Sequence, residues 1–424
     1  SEQDRKMSKS QTLDESHYDI VVVGGGMVGI SLALLLAKQR TAEGQSWRVL
    51  LIEAQPLDGL AEGTYKPNFD ARSTALSWSS HKIFESIGFW PELKKSASEI
   101  KQIHVSDRGH IGLTRIRAED AGVAALGYVV ENRWMGSRLL NQLAATDVEI
   151  MSPTTIDSIT PLMAGMQLVL EDTGRVVQTK LLVVADGLGS STARKLGITP
   201  NSSAYGQAGI IANITLDKPH GGVAYERFTD QGPMALLPLT DFQGQPRSAL
   251  VWTQPNDMAA TLMAANDSIF LQTLQERFGY RLGRFEQVGE RISYPLTLTT
   301  SSEQVRRHLV VIGNAAHALH PVAGQGFNLS LRDAATLASC LQSELGGPNV
   351  GALKLLQGYQ QQQAADQNNT VLFSDSLPKL FGQTSSAVAL GRNCGLLALD
   401  LMPGLRGRFA RFGMGMATRE AGHG

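Results

Sequence analysis

Apolar runs and the polar residues that interrupt them divide the chain into short buried strands, helices and glycine-rich turns. Residues 18–23 form a compact run rich in β-branched side chains, the pattern of a strand buried on both faces. The Ala/Leu-rich stretch 30–40 predicts a helix, and 47–52 a second strand. A helix is expected over 73–87, with Arg72 at its entrance. Residues 101–105 and 110–116 alternate like an antiparallel pair around the turn Asp107-Arg108-Gly109. Residues 127–131 read as a strand that feeds a helix from Asn132, a good N-cap residue, to Ala145. Short strands follow within 149–159 and at 166–170. The apolar strand at 181–185 stops abruptly on Asp186-Gly187.

From 203 to 300 the character changes. Alternating segments at 208–216, 222–228, 234–238 and 248–253 predict an antiparallel sheet. A helix-like insert at 259–278 and a closing strand at 292–296 complete this block, which reads as a substrate-covering domain inserted into an α/β nucleotide fold. Residues 309–312 then return to the first sheet, and a long helix is expected at 329–344. The division that results is a polar leader (1–17), a nucleotide domain in two parts (18–202 and 301–345), the inserted domain (203–300) and a C-terminal helical region (346–424). In the last, the helix at 353–367 carries a glutamine tract at 360–363 that reads as a solvated face.

With 42% apolar and 18% charged residues, the 424-residue chain is globular and suits two or three domains with one large core. A net charge of −1 gives no global reason to expect nucleic acid as a partner. Cys340 and Cys394 are the only cysteines and form no C-x-x-C pair, so neither a disulfide framework nor a zinc site is indicated and a reduced, cytoplasmic setting fits. The leader lacks the apolar core of a signal peptide, and the segment before Met7 reads as a cloning remnant. No uncharged apolar run reaches the length of about 18 residues that spans a bilayer, so any membrane contact is expected to be peripheral.

Candidate chemistry concentrates at the ends of strands. Gly24, Gly26 and Gly29 follow the first strand at the spacing G-x-G-x-x-G and open a helix. In this pattern the first glycine permits the tight turn, the second lets backbone approach a pyrophosphate, and the third lets helix and strand pack closely. The helix N-terminus adds N–H donors and a positive dipole end. Glu53, at the end of the second strand, is set to accept hydrogen bonds from ribose hydroxyls. The unit binds a dinucleotide without separating FAD from NAD. Asp186 either faces the ligand crevice or caps a helix at 190–196; Arg72 either meets the ligand or pairs with Asp70 at the surface. Gly313-Asn314-Ala315-Ala316-His317 and the run 320–328 form a second strand–loop–helix unit. It suits a second phosphate or, better, the N1/C2=O edge of a reduced flavin, because glycines let backbone lie flat against a ring. His317 and His320 are candidate acids or bases, and no third residue accompanies them as a metal site.

The order G-x-G-x-x-G (24–29), D-A-R-S-T-A-L (70–76), D-G (186–187) and G-N-A-A-H-x-x-H-P-x-x-G-Q-G-F-N (313–328) resembles the class A flavoprotein aromatic hydroxylases, related to p-hydroxybenzoate hydroxylase, over roughly residues 18–370. The run A-G-Q-G-F-N-L and Y-V-V-E-N (128–132) resemble the ubiquinone-biosynthesis hydroxylases within that family. Asn314 stands where the family motif normally has Asp, as in the 2-polyprenyl-6-methoxyphenol hydroxylase branch; an Asn still bonds a ribityl chain, without the charge. The resemblance implies a Rossmann-like FAD-binding domain of the p-hydroxybenzoate hydroxylase type, an inserted antiparallel substrate domain and C-terminal helices. It implies that Gly24, Gly26 and Gly29 hold the FAD pyrophosphate, Glu53 the adenosine ribose, and Arg72 and Arg133 the phosphate and ribityl region. Asp186, with Gly187, would serve FAD and the docking of NADPH or NADH, which has no Rossmann domain of its own in this family. Gly313, Asn314 and Gly324 would shape the second loop, Pro321 would line the active site with His317 or His320 in a proton relay, and the amides of Gly326, Phe327 and Asn328 would face the flavin. The activity implied is the O2-dependent hydroxylation of a polyprenyl phenol; rival readings are a hydroxylase of a soluble aromatic acid and a flavin-bound scaffold in a ubiquinone-biosynthesis complex.

Residues 377–424 alternate apolar clusters with a basic surplus, Lys379, Arg392, Arg406, Arg408, Arg411 and Arg419 against Asp400 and Glu420. Such a tail suits peripheral contact with the inner face of a membrane or a partner groove, or else helices packed on the core.

Overall fold

The computed structural model describes residues 15–57, 68–107, 113–319, 325–380 and 396–401. The first strand, Glu15–Val23, lies inside a sheet, parallel to Val49–Ile52 on one side and to Val176–Val184 on the other. Val176–Val184 is in turn parallel to Leu309–Val311, so the chain returns to its first sheet as expected. These strands are apolar on both faces because helices cover one side and a small antiparallel extension, Ile156–Leu162 and Gly165–Leu170, adjoins the other.

The first helix is Met27–Ala37, three residues earlier than the pattern predicts, which brings Gly29 into its opening turn. The helix expected over 73–87 divides. Ser73–Ser77 is a strand, antiparallel to Gly127–Glu131, and only Trp78–Ser86 is helical. The reason is tertiary: Ala75 and Leu76 are fully buried against that partner, and the Ser77 hydroxyl then caps the helix by accepting from the Ser80 amide at 3.2 Å. The following helix starts at Asn132 itself, with Glu131 as the N-cap.

The second sheet is antiparallel at its centre, where Pro200–Leu216 pairs with Arg247–Pro255 and Ile292–Ser301. Val223–Thr229 and Gly232–Pro238 extend it. It is not confined to 203–300: Gln102–Asp107 joins Val223–Thr229 in parallel and brings Leu113–Arg117 with it, and His317–Ala318 pairs at the other end. The helical insert is two helices, Asn256–Ala264 and Asp267–Phe278, broken where the Asn266 side chain caps the second. Among the described residues no helix is long and apolar enough to cross a membrane.

One buried histidine gives the fold a pH dependence. His81 sits among Trp78, Trp90 and Tyr128, with ring centroids 4.2, 4.9 and 5.2 Å away, and its Nδ1 donates to the Trp78 carbonyl. Burial pushes its pKa below the ordinary histidine value, against the opposing pull of that carbonyl and of Glu85. The folded state therefore binds this proton more weakly than the unfolded chain. Stability is complete above the unfolded value of about 6.5 and is lost as pH falls through it towards the folded one. Thermal unfolding followed by tryptophan fluorescence should show a midpoint that drops in this acid range. In His81→Gln the drop should be smaller.

Candidate active site

The G-x-G-x-x-G turn is built from three different constraints. Gly24 has φ +119°, and a Cβ there would lie 2.1 Å from the Ala185 carbonyl oxygen. A Cβ on Gly29 would lie 1.9 Å from the Gly24 carbonyl oxygen, so this glycine sets how closely helix and strand approach. Gly26 is different: a Cβ there meets no protein atom within 4 Å. It is also the N-cap of a helix with no side-chain cap and no acidic residue in its first turn, so the opening amides and the dipole face open space. Glu53 lies beside this turn, where one of its carboxylate oxygens accepts from the Gly25 amide at 3.3 Å.

The second loop joins the same crevice. Gly313, with φ +69°, packs beside Val28 of the first helix, and Asn314 next to it is exposed. Gly326, Phe327 and Asn328 belong to the first turns of the helix Gln325–Leu341, not to the loop before it. Asn328 is fully buried and acts as a clamp. Its Oδ1 accepts from the Ser77 amide at 3.0 Å and from the Ser80 hydroxyl at 2.7 Å, while its Nδ2 donates to the Ala75 carbonyl at 2.9 Å. The start of the helix is thereby fixed to the Ser73–Ser77 strand.

Between these elements and the second sheet lies a cavity of about 370 Å³. One wall comes from Arg72, Thr74, Asn132, Asn314, Gly326 and Phe327; the other comes from Ile211, Asn213, Leu237, Ala249, Val251, Ile292 and Tyr294. The guanidinium of Arg72 sits 4.9 Å from the Tyr294 ring centre, and the Arg72 carbonyl accepts from the Asn132 amide. Asp70 does not pair with Arg72; it accepts from the Glu290 amide at 2.7 Å. Asn213 is buried and donates to the carbonyls of Phe69 and Ala71, both at 2.8 Å, and Arg247 donates to the Phe69 carbonyl at 3.1 Å. The segment carrying Arg72 is thus stapled to the second sheet. Arg133 is exposed in the first turn of its helix.

The structure separates two predicted residues from the cavity. His317 is 1% exposed and its Nε2 lies 2.7 Å from Asp333, itself fully buried; Gln363 donates to the other oxygen of Asp333 at 2.6 Å. Within the glutamine tract Gln361 and Gln362 are exposed as expected, whereas Gln363 turns inward as the partner of a buried acid. Asp186 is committed to the helix that follows it, accepting from the hydroxyls of Ser190 and Thr192. The N-cap of that helix is Ser190, and the Asp186 backbone lies beside the first glycine turn, where a Cβ on Gly24 would lie 2.7 Å from its nitrogen. His320, Pro321 and Gly324 lie outside the described residues.

A family described as "FAD binding domain" matches residues 17–374. The chain is 34% identical to the ubiquinone hydroxylase UbiL of Rhodospirillum rubrum over 403 residues, 94% of this chain and 89% of that one. It is a FAD-dependent hydroxylase of the class A, ubiquinone-biosynthesis branch. The human mitochondrial ubiquinone biosynthesis monooxygenase is 26% identical over 96% of this chain and 94% of that protein. Among solved structures, a probable FAD-dependent monooxygenase from Pseudomonas aeruginosa shares the fold with a TM-score of 0.70 at 22% identity, covering 90% of this chain and all of that one.

The hydroxylase presents what FAD requires. Bare backbone at Gly26 and an uncapped helix end suit a pyrophosphate, and the Asn314–Phe327 wall meets the cavity where a ring would lie. Sequence reasoning missed the residues of the opposite wall. One signal was present: Asn213 is the polar residue that interrupts the run 208–214 of its strand.

Proposed function

We propose that this hydroxylase oxidises a polyprenylated phenol, with NADPH or NADH as the source of electrons and O2 as co-substrate. The observation that carries the reading is the cavity, whose second-sheet wall is largely aliphatic while its polar groups gather on the other wall and at the rim. FAD, when bound, supplies the electron transfer and the activation of O2. The chain supplies binding, orientation and water exclusion. Gly26 and the amides after it hold the pyrophosphate, Arg72 and Arg133 reach the phosphate and ribityl region, and Ile211, Val251 and Ile292 keep water from the ring. No histidine lines the cavity among its described residues. There the Tyr294 hydroxyl is buried without a hydrogen-bond partner and is one group that could meet a phenol, as is the exposed Asn314.

The test is a substrate screen with purified, FAD-loaded protein. NAD(P)H oxidation coupled to a hydroxylated product should respond to polyprenyl phenols and not to hydroxybenzoates. Stimulation by hydroxybenzoates alone would overturn the reading. A substrate so apolar also calls for docking at a bilayer. Arg406, Arg408 and Arg411, which lie outside the described residues, would contribute at about 1 kcal/mol each on an anionic surface. Their joint replacement by Glu should lower liposome binding and long-chain turnover while sparing a short-chain analogue.

A further inference from the structure

The register of the second sheet connects the cavity to the C-terminal segment. One row of side chains crosses five strands: Ile292 opposite Ile211, Ile211 opposite Val251, Val251 opposite Ala235, and Ala235 opposite Glu226. The first three of these line the cavity. The last, Glu226, is 3% exposed and accepts from the Leu397 amide. Leu397, Ala398 and Leu401 are 0–1% exposed and belong to one apolar cluster with Leu237 and Ala249, two further residues of the cavity wall. Between cavity and C-terminal segment this row holds only the methyl group of Ala235, which is itself half-buried.

We infer that the short helix Leu396–Leu401 is the end wall of the substrate chamber and sets how long an apolar chain the enzyme accepts; this rests on the polyprenyl phenol reading above. The cavity is near the lower end of the roughly 300–1,000 Å³ typical of small-molecule pockets. It holds a substituted ring and not a long isoprenoid chain, so the chain must leave it. Among the described lining residues, Asp70, Arg72 and Glu290 are charged and do not suit apolar matter. The aliphatic way out runs along Val251, Leu237 and Ala235 to Leu397. A chain taking this path replaces the contacts that Leu397 makes with the sheet.

Two substitutions at Leu397 give opposite signs, which simple destabilisation cannot do. Leu397→Ala enlarges the outlet and should lower KM for a long-chain polyprenyl phenol; Leu397→Trp fills it and should raise that KM about tenfold. KM for a phenol bearing a single prenyl unit should stay within about twofold in both variants, and retained flavin absorbance reports that each is folded. Equal effects on long and short substrates, or the same sign in both variants, would overturn the inference while the substrate reading stands. Wild-type enzyme that hydroxylates no prenylated phenol at all would overturn both.

Discussion

Gly26→Val is expected to give a folded protein that no longer retains FAD. The added side chain meets no protein atom within 4 Å of its Cβ, so the turn can form around it at the modest cost of a poorer N-cap, about 1 kcal/mol. The same side chain fills the space over the uncapped amides, where the pyrophosphate would sit. Gly29→Ala is the contrasting case. Its Cβ would be 1.9 Å from a backbone oxygen, so the first helix must separate from the sheet and the fold itself should fail. Thermal unfolding and FAD fluorescence on the two variants distinguish the effects. A Gly26→Val protein with normal flavin affinity would remove the pyrophosphate from this turn.

His317→Leu is expected to destabilise the protein by about 3–5 kcal/mol, the usual cost of removing one partner from a buried pair. Asp333 would keep only the Gln363 donor in a site closed to water. His317→Gln, which can still donate, should recover much of that loss. Because His317 is buried against Asp333 and does not line the cavity, the pH–rate profile of His317→Gln should keep the wild-type limbs. A lost limb, in protein with normal flavin content, would return the imidazole to the chemistry as an acid or base.

Local sequence was most informative where one short segment carries the whole constraint. The turn at Gly24–Gly29 needs only its own backbone and its flanking strand and helix, so its spacing sufficed. The alternating segments of the second sheet were equally legible, because period-two patterning is local. Beyond shifts of a few residues at helix starts, the errors have partners far along the chain. Ser73–Ser77 reads as a helix start until Gly127–Glu131 pairs with it. Gln363 reads as solvated until Asp333, thirty residues earlier, bonds to it. Leu397 and Leu401 leave a lipid surface, a partner groove and core packing all open until the cluster with Leu237 and Ala249 shows them buried. A pattern of polar and apolar letters says which side chains avoid water and not what they avoid it with.

The order of strands in the first sheet has a consequence for synthesis. Glu15–Val23 emerges early, yet its neighbour Val176–Val184 and the strand beyond that, Leu309–Val311, are made much later. At about 5–20 residues per second, the first strand waits on the order of tens of seconds for the sheet to be completed. Until residue 184 is made, one of the most apolar segments of the chain has only Val49–Ile52 and the first helix for company. The second sheet, made in between, can form while the first is still open. The first strand of the nascent chain is therefore most in need of cover before residue 184 leaves the ribosome, and the crevice, which includes Asn314 and Phe327, is complete only later.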